Sequence, residues 1–181
     1  MKTNLFRKLS SRKGFTLIEL LIVIAILGVL AAGVLVLIDP VQQLARARDA
    51  GRKNSVGQLA RAVQAYLTTR QSAYPNDAGT WITTELIAAG EIQTVPANPT
   101  MTAGFCAGTG GAVENGYCYN RAGAAPGTNG QVYVRLESQA EIAKCSAGNI
   151  PFFQWVANRG TTCLVCTAAD PGFAVACNAV Q

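Results

Sequence analysis

The 181-residue chain contains no histidine. That absence removes every triad and general base built on imidazole, and it removes the commonest metal ligand. Acids are scarce as well, ten in all, and none precedes Glu19. Aromatic residues make up only 7% of the chain, and cysteine does not occur before Cys106. Lysine, cysteine or carboxylate chemistry has no supporting constellation. The chain therefore reads as non-enzymatic, with no cofactor and no metal site.

What basic character exists is concentrated. Lys2, Arg7, Lys8, Arg12 and Lys13 supply the whole formal excess of +5, and from Phe15 onward basic and acidic residues balance. If the leader is removed, so is the basic character. Nucleic-acid binding through bulk charge then loses its footing.

A long apolar run follows the basic leader. From Phe15 to Ile38 the one charged residue is Glu19. At 1.5 Å per residue, Leu20 to Ile38 would span about 28 Å, close to the hydrocarbon core of a bilayer. The basic leader should stay in the cytoplasm and place the rest outside. Three readings compete: a secretory signal peptide cut near Ala31-Ala32-Gly33, a plain signal anchor, and a leader cut before the run. A lone carboxylate inside such a run costs roughly 2.5–3.5 kcal/mol on insertion scales. It hinders the first two readings and explains nothing in them. A cut between Gly14 and Phe15 creates an α-amine four residues from Glu19, which could face the carboxylate of a neighbouring copy as a buried pair.

Asp39-Pro40 ends the run. Pro40 would kink an unbroken helix, and the pair also reads as a fresh helix start, with Asp39 as N-cap and Pro40 at the first helical position. Val41 to Arg70 is amphipathic, with Val56, Leu59, Val63, Tyr66 and Leu67 on one apolar face. Arg46, Arg48, Arg52, Lys53 and Arg61 fill much of the remainder. They read as a solvated face, or as partners for acids on neighbouring subunits. Gly51 and Gly57 each weaken the helix by roughly 1 kcal/mol relative to Ala.

The remaining residues predict an α+β head. A loop at Tyr74-Pro75 and a short helix over Trp81 to Ala89 precede a glycine-rich stretch with a possible hairpin around Gly116. Tyr117–Tyr119, Gln131–Glu137, Phe152–Val156 and Thr162–Cys166 are strand candidates, giving a three- or four-stranded antiparallel sheet laid against the amphipathic helix. The expected divisions are 1–14, 15–38, 39–71 and 72–181. Trp81 and Trp155 read as core residues, or as exposed contacts of a binding surface.

The six cysteines are Cys106, Cys118, Cys145, Cys163, Cys166 and Cys177. An even number in a region that would be exported reads as a disulfide framework, whose connectivity is open among fifteen possibilities. Cys106–Cys118 is the first pairing expected, because it would close the glycine-rich loop between them. Cys163-x-x-Cys166 could hold zinc or form a redox pair; two structural disulfide partners that happen to be close is the plainer reading.

Lys13-Gly14-Phe15-Thr16-Leu17-Ile18-Glu19 resembles the class III signal of type IV prepilins and type II secretion pseudopilins. The resemblance implies cleavage after Gly14 and N-methylation of Phe15 by a prepilin peptidase, with Glu19 guiding subunit docking. It implies a long N-terminal helix on a small sheet head, stored single-pass in the inner membrane. The subunit would then stack helix to helix into a surface or periplasmic filament. Its partners would be other copies of itself, the peptidase, and an inner-membrane platform with its ATPase. Some relatives bind calcium through acids in a C-terminal loop; here Asp170 is the only acid after Glu141, so no calcium site is carried over. A structural pilus subunit serving adhesion, motility or DNA uptake is the leading expectation. The alternatives are the major pseudopilin of a secretion system and, from another class, a membrane-anchored extracytoplasmic binding module.

Overall fold

The computed structural model describes residues 14–37, 39–97, 111–124 and 126–177. The chain divides into two compact units, the first ending at Pro40 and the second beginning at Val41. In the first, helix α1 (Leu17–Leu37) occupies the apolar run, and every side chain from Leu17 to Val34 is exposed.

The second unit is built on helix α2 (Pro40–Thr69). Pro40 takes the first helical position, where its missing N–H would have had no intrahelical partner. The far end stops at Gln71 and Ser72, whose φ values of 54° and 67° are left-handed. Ser72 still donates its N–H to the Leu67 carbonyl at 2.8 Å, which closes the last turn. A π-type helical turn over Ile82–Ile87 follows, within the short helix expected at Trp81 to Ala89.

The sheet is a five-stranded antiparallel meander in the order β1 (Ala112–Glu114), β2 (Tyr117–Ala122), β3 (Asn129–Arg135), β4 (Ile150–Val156), β5 (Thr161–Thr167). The hairpin around Gly116 forms. Asn115 and Gly116 sit at φ 50° and 78°, the two left-handed residues that a tight hairpin turn requires. It adds β1, a three-residue edge strand too short to show a periodicity of its own. Helix α3 (Gln139–Ile142) lies between β3 and β4.

Alternation along the strands makes two cores. Val56, Leu59, Val63 and Tyr66 of α2 pack with Tyr119, Val132, Val134, Trp155 and Leu164 on the inner sheet face, together with Trp81, Ile82 and Leu86. Full burial of such a side chain contributes roughly 1.5–3 kcal/mol. The outer face gathers Cys118, Tyr133, Phe152 and Val165, with Val175 of the C-terminal segment packed on them. β3 is consequently buried from Asn129 to Val134. A helix-on-sheet layout alone would leave that outer face wet; the segment after β5 covers it.

Gly130 shows how the Tyr74-Pro75 loop is seated. A Cβ there would stand 2.7 Å from Tyr74 Cδ1, so only glycine lets the ring approach β3. The Tyr74 N–H donates to the Pro126 carbonyl at 2.8 Å.

Candidate functional site

Gly14, Phe15 and Thr16 lie outside the helix, immediately before α1, and are exposed. A Cβ on Gly14 would meet nothing within 4 Å. The fold of the chain itself therefore places no demand for glycine at this position.

α1 begins with a reciprocal cap. The Glu19 carboxylate accepts a hydrogen bond from the Thr16 N–H and another from the Thr16 hydroxyl, both at 2.8 Å. The Glu19 N–H in turn donates to Thr16 Oγ at 3.3 Å. Thr16 is the N-cap and Glu19 the third helical residue, a capping box. The signal for it stands in the sequence as Thr16-x-x-Glu19 ahead of an apolar run, in addition to the intermolecular role expected of Glu19. Glu19 is thus not a bare charge on α1: its carboxylate satisfies donors that the helix start would otherwise leave open. The acid also lies at the positive end of the helix dipole.

Three of the basic residues of α2, Arg48, Arg52 and Lys53, correct the expectation of a solvated or intersubunit face, because their acids lie within the same chain. Arg52 is fully buried and Asp49 is 2% exposed. Arg52 Nη1 donates to Asp49 Oδ1 at 2.8 Å, and Arg52 Nη2 lies 3.4 Å from Glu137 Oε2. Arg48 binds the same Glu137 carboxylate, and Lys53 donates to Glu141 at 2.6 Å. Asp49 also accepts the N–H of Glu137 at 3.0 Å and of Ser138 at 2.8 Å. Leu136 still donates its N–H to the Pro151 carbonyl at 2.9 Å, and the N–H groups of the two residues after it leave β4 for a side chain on α2. Burial alone would raise the Glu141 carboxyl, but its hydrogen bonds and charge contacts with Lys53 and Lys144 outweigh that and hold it below the ordinary value of 4.5. Arg46 and Arg61 remain exposed.

The cysteines divide between the sheet faces. Cys145 pairs with Cys166, and Cys163 with Cys177, with Cα separations of 5.4 and 5.6 Å. Cys118 is disulfide-bonded; its expected partner, Cys106, lies outside the described residues. Cys163 and Cys166 are three residues apart on β5, about 10 Å along an extended strand and on opposite faces. They cannot bridge each other within that strand, and their thiols are committed elsewhere. Among the described residues, no group of three or more His, Cys, Asp or Glu is placed to hold a metal.

The tryptophans are internal. Trp81 is fully buried and Trp155 is 2% exposed. Trp81 stacks on Tyr119 with ring centroids 4.7 Å apart. Neither is available as an exposed binding aromatic.

Taken together, the fold is an α+β, pilin-like architecture: an apolar N-terminal helix, then a second helix on a five-stranded antiparallel sheet. Residues 9–35 match the model of the prokaryotic N-terminal methylation motif. This motif is the class III prepilin signal of type IV pilins and pseudopilins, proteins that are structural rather than enzymatic. It implies processing by a prepilin peptidase and membrane anchoring before assembly. No curated protein and no solved structure matches the chain.

Proposed function

We propose that this chain is a structural subunit of a type IV pilus-like filament. A prepilin peptidase cuts between Gly14 and Phe15 and methylates the new amine. The subunit waits in the inner membrane on α1 and is then extracted by an assembly platform and its ATPase. Residues 15–38 form the filament core, and the disulfide-rich head lies outside, serving adhesion, motility or DNA uptake.

One observation carries this reading. The methylation motif at residues 9–35 coincides with an exposed Gly14–Phe15 bond, directly followed by a helix whose apolar side chains are exposed from Leu17 to Val34. A helix apolar all round belongs in a membrane or in the core of an assembly, and a filament subunit uses it for both in turn. Glycine at position 14, which the fold does not require, is then a demand of the peptidase.

Mass spectrometry of the assembled protein tests the proposal. The expected N-terminus is N-methyl-Phe15; an intact Met1 in the mature material refutes it. The major-pseudopilin reading draws support from the Tyr74-Pro75 loop, a feature that recurs in pseudopilin-like chains and is here anchored on β3 through Gly130. Imaging separates the two: long surface fibres for a pilin, a short periplasmic stub for a pseudopilin.

A further inference from the structure

The two described disulfides interleave. In chain order the cysteines run 145, 163, 166, 177, and the bonds join the first to the third and the second to the fourth, closing spans of 21 and 14 residues. Four cysteines allow three pairings. The one that joins sequence neighbours, Cys145 with Cys163 and Cys166 with Cys177, closes loops of similar length. Loop-closure entropy grows only as the logarithm of length, so the unfolded chain has almost no preference for the native pairing.

Strand geometry makes the selection instead. In β5, Cys163 lies opposite Gln154 and Cys166 opposite Pro151 of β4. Cys163 belongs with the outer-face cluster, and Leu164, on the alternate face, with the inner core. Cys166 shares the Leu164 face because side chains alternate. Only a docked β5 can therefore assign Cys145 to Cys166 and leave Cys163 for the C-terminal segment. A chain whose leader stays in the cytoplasm while the rest is translocated in sequence order presents Cys145 and Cys163 before Cys166, and Cys177 last. An oxidant that joins thiols as they emerge makes the neighbour pairing.

We propose that the head matures through disulfide isomerisation, and that the chain is a substrate of a thiol–disulfide isomerase carrying a nucleophilic thiolate. The inference rests on the export reading above. The exchange is balanced and consumes no oxidant. The isomerase thiolate attacks Cys163 Sγ in a Cys145–Cys163 bond, forming a mixed disulfide and releasing the Cys145 thiolate. Cys145 attacks Cys166 Sγ of a Cys166–Cys177 bond and releases the Cys177 thiolate. Cys177 then attacks Cys163 Sγ, completing the second native bond and regenerating the isomerase thiolate.

The test expresses the full chain in bacteria that have a periplasmic oxidase, with and without the isomerase. Free thiols are alkylated at once, and bonds are mapped by non-reducing peptide mass spectrometry. Without isomerase, the Cys145–Cys163 and Cys166–Cys177 linkages should rise on the order of tenfold. In the Cys163→Ser/Cys177→Ser variant, with Cys106 and Cys118 also replaced by Ser, no competing partner remains, so Cys145–Cys166 should form equally in both strains. The Cys145→Ser/Cys166→Ser variant, on the same Cys106→Ser/Cys118→Ser background, should show the same independence for Cys163–Cys177. A native bond map in the full chain without isomerase overturns the inference, and so does a dependence that persists in both variants. Free thiols throughout would instead overturn the export reading, and the inference with it.

Discussion

The Glu19 carboxylate accepts two hydrogen bonds from Thr16, one from its backbone N–H and one from its hydroxyl, each at 2.8 Å. This local role and the proposed docking role make different demands, because glutamine can cap as glutamate does but carries no charge. Glu19→Gln should therefore preserve the start of α1 and membrane insertion, yet block filament assembly as completely as Glu19→Ala. Fractionation and filament yield measure the two effects. Normal filaments in Glu19→Gln would reduce Glu19 to a cap and remove the proposed pairing with a neighbouring Phe15 amine.

Arg52 and Asp49 form a buried unit that fixes α2 to the segment after β3. Arg52→Ala leaves the Asp49 carboxylate with backbone donors but no countercharge. Breaking a buried pair from one side costs about 3–5 kcal/mol. Asp49→Ala should cost at least as much, since it removes together the 2.8 Å partner of a fully buried guanidinium and the acceptor of two N–H groups. The double variant should lose less than the sum, because the pair acts as one unit. Urea unfolding of the full chain in detergent reads all three; a loss under 1 kcal/mol for Arg52→Ala would show that the charge is compensated elsewhere.

The elements were legible where periodicity was strong. Val56, Leu59, Val63 and Tyr66 marked the buried face of α2, and the alternation around Gln131 to Val134 marked β3. The fate of the α2 cations was not legible. Arg48 and Lys53 meet acids 89 and 88 positions away, and no local spacing reports such a pairing. The outer cover was hidden for a different reason. Residues 168–177 lack a periodic pattern and are held in part through backbone carbonyls, which any sequence possesses: Gln131 donates to Pro171 at 3.0 Å and Arg159 to Val175 at 2.6 Å. The exposed Gly14–Phe15 segment was legible from its motif, whereas the bonds of Cys163 and Cys166 depended on which face of β5 each occupies.

That C-terminal cover gives a third prediction. Cys163–Cys177 ties it down beside Val175, which packs on Tyr133, Phe152 and Val165. Closing a loop of this size contributes about 3 kcal/mol in the chain-entropy model. In Cys163→Ala/Cys177→Ala, residues 168–176 should become cleavable by protease before the sheet unfolds, because the tie is local and the strand ladder does not depend on it. Cleavage only in step with global unfolding would show that the hydrogen bonds from Gln131 and Arg159 suffice to hold the segment.

Glu141 sets the fourth. It accepts from Lys53 at 2.6 Å and from Lys144 at 3.1 Å, which binds α2 to α3. Its folded carboxyl ionises below the ordinary value of 4.5 despite a burial effect in the opposite direction. Over the interval between the folded and unfolded values, the unfolded chain binds more protons than the native one. The contribution of Glu141 is therefore complete above 4.5 and fades as pH falls through the folded value. Glu141→Gln abolishes that titration. Its urea midpoint should lie below the wild-type midpoint at neutral pH, and the gap should narrow steadily as the pH drops below 4.5. A gap that stays constant across that range would show that Glu141 contributes through shape and neutral hydrogen bonding, not through the charge it shares with Lys53 and Lys144.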